Sequence, residues 1–169
     1  MSKTHPAALS GDELLLDCEI SRTRRGGPGG QHRNKTETAI VITHLPSGAV
    51  GQAAERRSQH ENRSIAIERL RLNLAVEVRN RIPMDQQPTE LWQDRVQENK
   101  ISVSATHADF PALLAEAMDF VLAAGFEVPS AANRLAISPS QLVKLLKLHP
   151  PAFRWLNQNR REAGMRELR

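Results

Sequence analysis

The chain has no tyrosine and only 4% aromatic residues in 169, so large rings anchor little of its interior and the core is expected to be mostly aliphatic. A single cysteine, Cys18, excludes an intrachain disulfide and cannot supply a multi-cysteine zinc site. No metal and no organic cofactor is expected. No apolar run approaches the roughly 20 residues of a membrane-spanning helix, and residues 1–10 lack the charged-then-apolar pattern of a secretory signal. These absences predict a cytoplasmic protein with no membrane partner. With 40% hydrophobic and 25% charged residues, what is present has the composition of folded domains rather than of a disordered chain.

The net charge of +4 conceals a segregation along the chain. Residues 1–20 carry 1 basic and 4 acidic side chains, 21–83 carry 12 and 5, 84–128 carry 2 and 8, and 129–169 carry 8 and 2. Two basic stretches therefore flank an acidic one. Such asymmetry points to a polyanion, nucleic acid above all, touched at two places, because each neutralised phosphate releases counterions. Arginine dominates both basic stretches, and its planar fork suits phosphates and stacked bases.

Leu14, Leu16, Cys18 and Ile20 alternate with Leu15, Asp17 and Glu19, which predicts a strand over 14–20. The run Arg22-Thr23-Arg24-Arg25-Gly26-Gly27-Pro28-Gly29-Gly30-Gln31 has no apolar side chain to anchor it and predicts an exposed loop. Thr38 to His44 is β-branched, Pro46-Ser47-Gly48 is a turn, and Ala49 to Ala54 can return as the partner strand. Ser58-Gln59-His60-Glu61 reads as a capping box, predicting a helix from Gln59. Residues 70–78 fit either period; the cap, the length and the lack of Gly or Pro from 58 to 82 favour helix. Pro83 and Pro88 bracket a polar connection that marks a module boundary, and Asp109 to Ala124 predicts an apolar helix ended by Gly125.

Glycine repeats between basic residues suit an anion-binding nest. No Gly-Lys-Ser/Thr follows for a P-loop, however, and the glycine spacing does not fit a dinucleotide fold. More specific is the longer string Gly29-Gly30-Gln31-His32-Arg33-Asn34-Lys35-Thr36, followed by His44-Leu45-Pro46-Ser47-Gly48 and Arg57-Ser58-Gln59-His60-Glu61-Asn62-Arg63. In order and spacing it resembles the catalytic domain of class I peptide chain release factors, over about residues 12–82. The chain departs from that family at Arg25 and Gly26, where a small residue and a Ser or Thr, in that order, are usual, and at Arg33, where an aliphatic residue is common.

The resemblance implies hydrolysis of the peptidyl-tRNA ester in the ribosomal peptidyl transferase centre, with Gly29, Gly30 and Gln31 as the catalytic tip. Gln31 has no useful pKa and cannot be a general base at neutral pH, so its part is positioning water and stabilising charge. The resemblance also makes Gln31 a candidate for N5-methylation. Arg22, Arg24, Arg25, Arg33 and Lys35 flank the loop, and Arg56, Arg57 and Arg63 sit around the following helix start; all eight are expected to contact ribosomal RNA. His44 and His60 are expected to be structural. No segment resembles the stop-codon recognition domain, so the nearest functional analogy is a short rescue hydrolase that frees peptides from stalled ribosomes without reading a codon.

Ala132, Leu135, Ala136-Ile137-Ser138, Leu142 and Leu145 have the spacing of a helix-turn-helix, with Ala136 where glycine is commonest. This module binds nucleic acid or is a structural bundle. If it binds, Ser140, Gln141, Lys144 and Lys147 face the partner, and Arg160 and Arg161 extend the basic surface into a C-terminal helix or tail.

The expectation is therefore an α+β fold: a small β-sheet with a long packed helix over 10–82, a linker and variable segment over 83–106, and a small all-helical module over 107–169. Its partners are the ribosome and peptidyl-tRNA, with further nucleic acid open to the C-terminal module, and it is a monomer when free. The rival reading is a noncatalytic ribosomal-RNA or DNA binder that retains the loop.

Overall fold

The computed structural model describes residues 4–23 and 39–169. Among them a single-turn 3-10 helix (Pro6–Ala8) and helix α1 (Gly11–Leu15) precede strands β1 (Cys18–Thr23), β2 (Ala39–His44) and β3 (Val50–Ala53). Helix α2 (Gln59–Glu77) follows, then α3 (Glu90–Arg95), the short strands β4 (Val96–Gln97) and β5 (Lys100–Ile101), α4 (Phe110–Ala123), α5 (Val128–Arg134), α6 (Pro139–Lys147) and α7 (Pro150–Glu162). The fold is α+β, a small antiparallel sheet on a long helix followed by helices, as the sequence predicts.

The strand expected over 14–20 is corrected at its start. Ser10 forms a full capping box with Glu13: the Ser10 amide donates to the Glu13 carboxylate at 3.0 Å and the Ser10 hydroxyl accepts from the Glu13 amide at 3.3 Å. This cap nucleates a helix that takes Leu14 and Leu15, and the strand begins only at Cys18. Leu16, which alternation would place with Leu14, is 85% exposed.

The three strands pair antiparallel in the order β1-β2-β3, with Ile42 opposite Ile20 on one side and Gly51 on the other. Helix α2 lies on that face. Asn62, Ala66, Leu70 and Leu74 form its buried row at four-residue spacing, which settles the helix-or-strand ambiguity at 70–77 in favour of helix; Val78 is already extended. The Ser58 hydroxyl accepts from the Glu61 amide at 3.4 Å, but among the described residues only this half of the expected capping box forms. Gly51 permits the close approach of sheet and helix: a Cβ there would lie 2.1 Å from the Ala66 carbonyl oxygen and 2.6 Å from the Leu70 amide.

Helix α2 also packs against α4, which is buried nearly all round and brings Leu113, Leu114, Ala117, Met118 and Val121 to the core. Gly125, at φ +58°, follows its end as predicted. The segment 83–106 adds Trp92, 1% exposed, whose ring N–H donates to the Leu135 carbonyl at 2.8 Å. Helices α5 and α6 are joined by a turn in which Ala136 adopts φ +54°, the left-handed position expected from the spacing. The Ser138 hydroxyl then caps α6 by accepting from the Gln141 amide at 3.3 Å. After α7, Gly164 turns the chain back: the Leu168 amide donates to Asn157 Oδ1 at 2.8 Å and Asn157 Nδ2 donates to the Leu168 carbonyl at 3.0 Å. The basic tail is folded against α7 rather than extended.

Candidate functional site

The functional loop expected from the sequence, with Arg24, Arg25, Gly29, Gly30, Gln31, Arg33 and Lys35, lies outside the described residues. Its two attachment points are described. Thr23 ends β1 opposite Ala39, which begins β2, so residues 24–38 leave and rejoin the sheet from facing positions about 5 Å apart.

The pairing register places the other candidates relative to that end. Arg22 faces Ile40, and Ile40 faces Ala53 at the end of β3. The exit of β3, which leads to Arg56 and Arg57, is thus two strand spacings from Arg22, about 10 Å. Arg22, Arg56, Arg57 and Arg63 are all exposed. The sheet end that carries residues 24–38 therefore also carries four guanidiniums on the described backbone.

The backbone under them is held by Asn62, which is fully buried. Its Oδ1 accepts from the Arg56 amide at 2.9 Å and its Nδ2 donates to the Arg56 carbonyl at 2.9 Å. Sequence reasoning missed this role. The available signal was a polar residue in the buried row 62-66-70-74, where a lone amide needs partners. Next to it, Glu55 pairs with Arg69, which also donates to the Gln52 carbonyl at 2.7 Å. The Arg69 hydrogen bond and the Ala54 amide hold the Glu55 carboxyl down at about 2.

His44, Ser47 and Gly48 lie at the opposite end of the sheet, some five residues or about 17 Å along β2 from Ala39. His44 Nδ1 meets Ser47 Oγ at 2.7 Å, and that hydroxyl accepts from the Ala49 amide at 3.2 Å. Gly48 takes φ +75°. The His-Leu-Pro-Ser-Gly string builds the β2–β3 turn, and the His44 ring contacts that turn.

In the C-terminal helices Ser140, Lys144 and Lys147 are exposed on α6. Lys147 donates to the Arg169 carbonyl at 2.6 Å and lies over the Phe153 ring. Arg160 donates to the Phe126 carbonyl at 2.6 Å and to the Arg166 carbonyl at 3.0 Å. Arg161 pairs with Glu167 at 3.1 Å. Lys144 is thus the candidate there with no such intramolecular partner among the described residues. No group of three or more His, Cys, Asp or Glu side chains among the described residues is placed to hold a metal ion, and no helix among them is long and apolar enough to cross a membrane.

A sheet hairpin opened by a glycine-rich insertion, backed by a helix whose start carries arginines, is the arrangement of a release-factor catalytic domain. The RF-1 domain family model matches residues 15–109, and the chain belongs to that family. Among curated proteins it is similar to peptide chain release factor 1 of Dictyoglomus thermophilum (strain ATCC 35947 / DSM 3960 / H-6-12) and of Xylella fastidiosa (strain 9a5c). Each is 53% identical over 58 residues, covering 34% of this chain and 16% of the relative. The matched region thus spans about a sixth of the length of those release factors.

Proposed function

We propose that this protein hydrolyses the ester between nascent peptide and tRNA on the ribosome, without reading a stop codon. The observation that carries this reading is the RF-1 domain match over 15–109, a span that includes the intact Gly29-Gly30-Gln31 string. Water attacks the ester carbonyl, a new carbon–oxygen bond forms, the bond to the tRNA 3′-oxygen breaks, and that oxygen takes a proton. In this scheme the backbone N–H of Gln31 donates to developing negative charge and its side chain positions the water. One such preorganised donor contributes about 2.7–4 kcal/mol. In the same scheme a Cβ at Gly29 or Gly30 is expected to be harmful. Gln31 is the position for N5-methylation.

The arginines divide between the loop and its support. Arg22, Arg56, Arg57 and Arg63, with Arg24, Arg25, Arg33 and Lys35, hold the loop end against ribosomal RNA. Such contacts position without reading sequence. Residues 10–82 act as the catalytic unit, 83–106 join it to the rest, and 107–169 supply a second contact with nucleic acid. Support for that contact comes from charge: between Pro129 and Arg161 there are six Lys or Arg and no Asp or Glu. Lys144 on α6, with Ser140 and Gln141 beside it, is its centre. The protein acts as a cytoplasmic monomer before it docks.

Codon independence goes beyond the RF-1 match and needs its own test. The test is peptide release from ribosomes stalled on messages with and without a stop codon in the decoding site. Equal release from both is expected; release confined to the stop-codon complex rejects it. The helix-turn-helix geometry around Ala136 favours the rival nucleic-acid binder, which predicts tighter binding to a DNA duplex than to ribosomes.

A further inference from the structure

A cavity of about 320 Å3 lies between the N-terminal segment, the chain at 80–91 and α4, and it belongs to no part of the site above. Ile82, Leu91, Ala112 and Phe120 supply apolar walls, and Glu116 and Asp119 supply two carboxylates. Three residues apart on α4, these acids emerge on one helix face.

Their hydrogen bonding is incomplete. The Asp119 side chain is only 6% exposed. Its Oδ1 accepts from Arg79 Nη1 at 2.8 Å and from the Asn80 amide at 3.0 Å, while no donor among the described residues reaches Oδ2. Glu116 accepts from the Thr89 amide at 2.7 Å on one oxygen and from the Thr89 hydroxyl at 2.6 Å on the other, which leaves each oxygen a further lone pair. Thr89 is a neutral donor, and among the described residues no cation pairs with Glu116.

The neighbouring bases have partners of their own, while Arg79 Nε and Arg134 Nε and Nη1 have none among the described residues. Arg79 is held by Asp119 and by the Ala115 carbonyl at 3.1 Å. Arg134 stacks over the Phe120 ring at 4.7 Å and donates to the Pro83 carbonyl at 2.8 Å. His5, also on the cavity wall, accepts from the Ala7 amide at Nδ1, so Nε2 donates to the Val78 carbonyl and the ring is neutral.

We propose that this cavity binds a primary alkylammonium, with the head group between Asp119 Oδ2 and the Glu116 carboxylate and the methylenes against Leu91, Ile82 and Phe120. A compact ammonium brings three donors and one charge, so it reaches both acids at once. Its stem is apolar and matches the walls. A bound cation also offsets the burial that pushes both carboxyls up.

Two sources offer this chemistry, a free polyamine and a lysine side chain. The experiment is an NMR titration of the full chain with n-butylammonium, n-butanol, spermidine and Nα-acetyl-lysine amide. Saturable shifts around Leu91, Ala112 and Phe120 are expected with butylammonium. Binding is expected to weaken about tenfold with butanol and about tenfold in Glu116→Gln, since a hydrogen bond to a charged group is lost. Ala112→Leu, which fills the cavity, abolishes binding and serves where Glu116→Gln does not fold. Tighter binding of spermidine supports the free polyamine, and tighter binding of the lysine amide supports a protein lysine. Butanol binding as tightly as butylammonium, or undiminished binding in folded Glu116→Gln, overturns the proposal.

Discussion

Thr23 and Ala39 stand opposite each other on the terminal rung of the β1–β2 ladder. That one pairing fixes where residues 24–38 begin and end, whatever path they take between, and the register carries the constraint across to Ala53. A loop tip acts on a buried ester only if its base is stiff. Base stiffness here comes from two buried contacts, each of which yields a prediction.

The first is Gly51 against α2. Because a Cβ would meet backbone atoms of Ala66 and Leu70 rather than flexible side-chain ends, strand and helix must separate to admit it. Gly51→Ala is expected to lower stability by about 1–3 kcal/mol, read as a lower urea midpoint at unchanged slope. An unchanged midpoint contradicts the packing account.

The second is Asn62. Removing its amide leaves the Arg56 N–H and carbonyl without that partner, at about 1–3 kcal/mol. Asn62→Ala is expected to reduce both stability and ribosome affinity, since the Arg56-Arg57 backbone loses its clamp. Arg57→Ala is expected to reduce affinity alone. Equilibrium unfolding and ribosome pelleting separate the two effects.

Two buried groups set opposing pH dependences. Burial lowers the His5 pKa from 6.5 to about 4, so the unfolded chain binds the extra proton and stability falls as pH drops from 6.5 towards 4. Burial raises the Asp119 pKa from 3.8 to about 6, against the pull of Arg79; the folded chain binds the proton first, so this contribution is present below 3.8 and lost as pH rises through 6. Each corresponds to about 3 kcal/mol, and the windows overlap. Asp119→Asn is expected to show stability falling more steeply on acidification than wild type between pH 6.5 and 4, and His5→Asn the reverse. Parallel curves for all three proteins contradict the assignment.

Much of this arrangement is legible in the sequence because local signals agree. The α2 cap at Ser58, the Pro-Ser-Gly turn, the Gly125 terminator and the left-handed site at Ala136 each combine propensity with spacing, and all appear in the fold. Leu14 to Ile20 misleads because seven residues suit a short strand, while the capping box at Ser10 lies upstream of the alternation and claims two of the leucines. The roles of Trp92 and of the Arg79–Asp119 pair depend on contacts between distant segments, 43 and 40 residues apart. Periodicity carries no information about such contacts.

The measurement closest to the central claim is single-turnover peptide release from stalled ribosomes by wild type, Gln31→Ala and Gly30→Ala, with ribosome binding measured alongside. The account predicts a loss of release of about 10²–10³-fold in both variants, at unchanged binding. Equal release by all three proteins contradicts it.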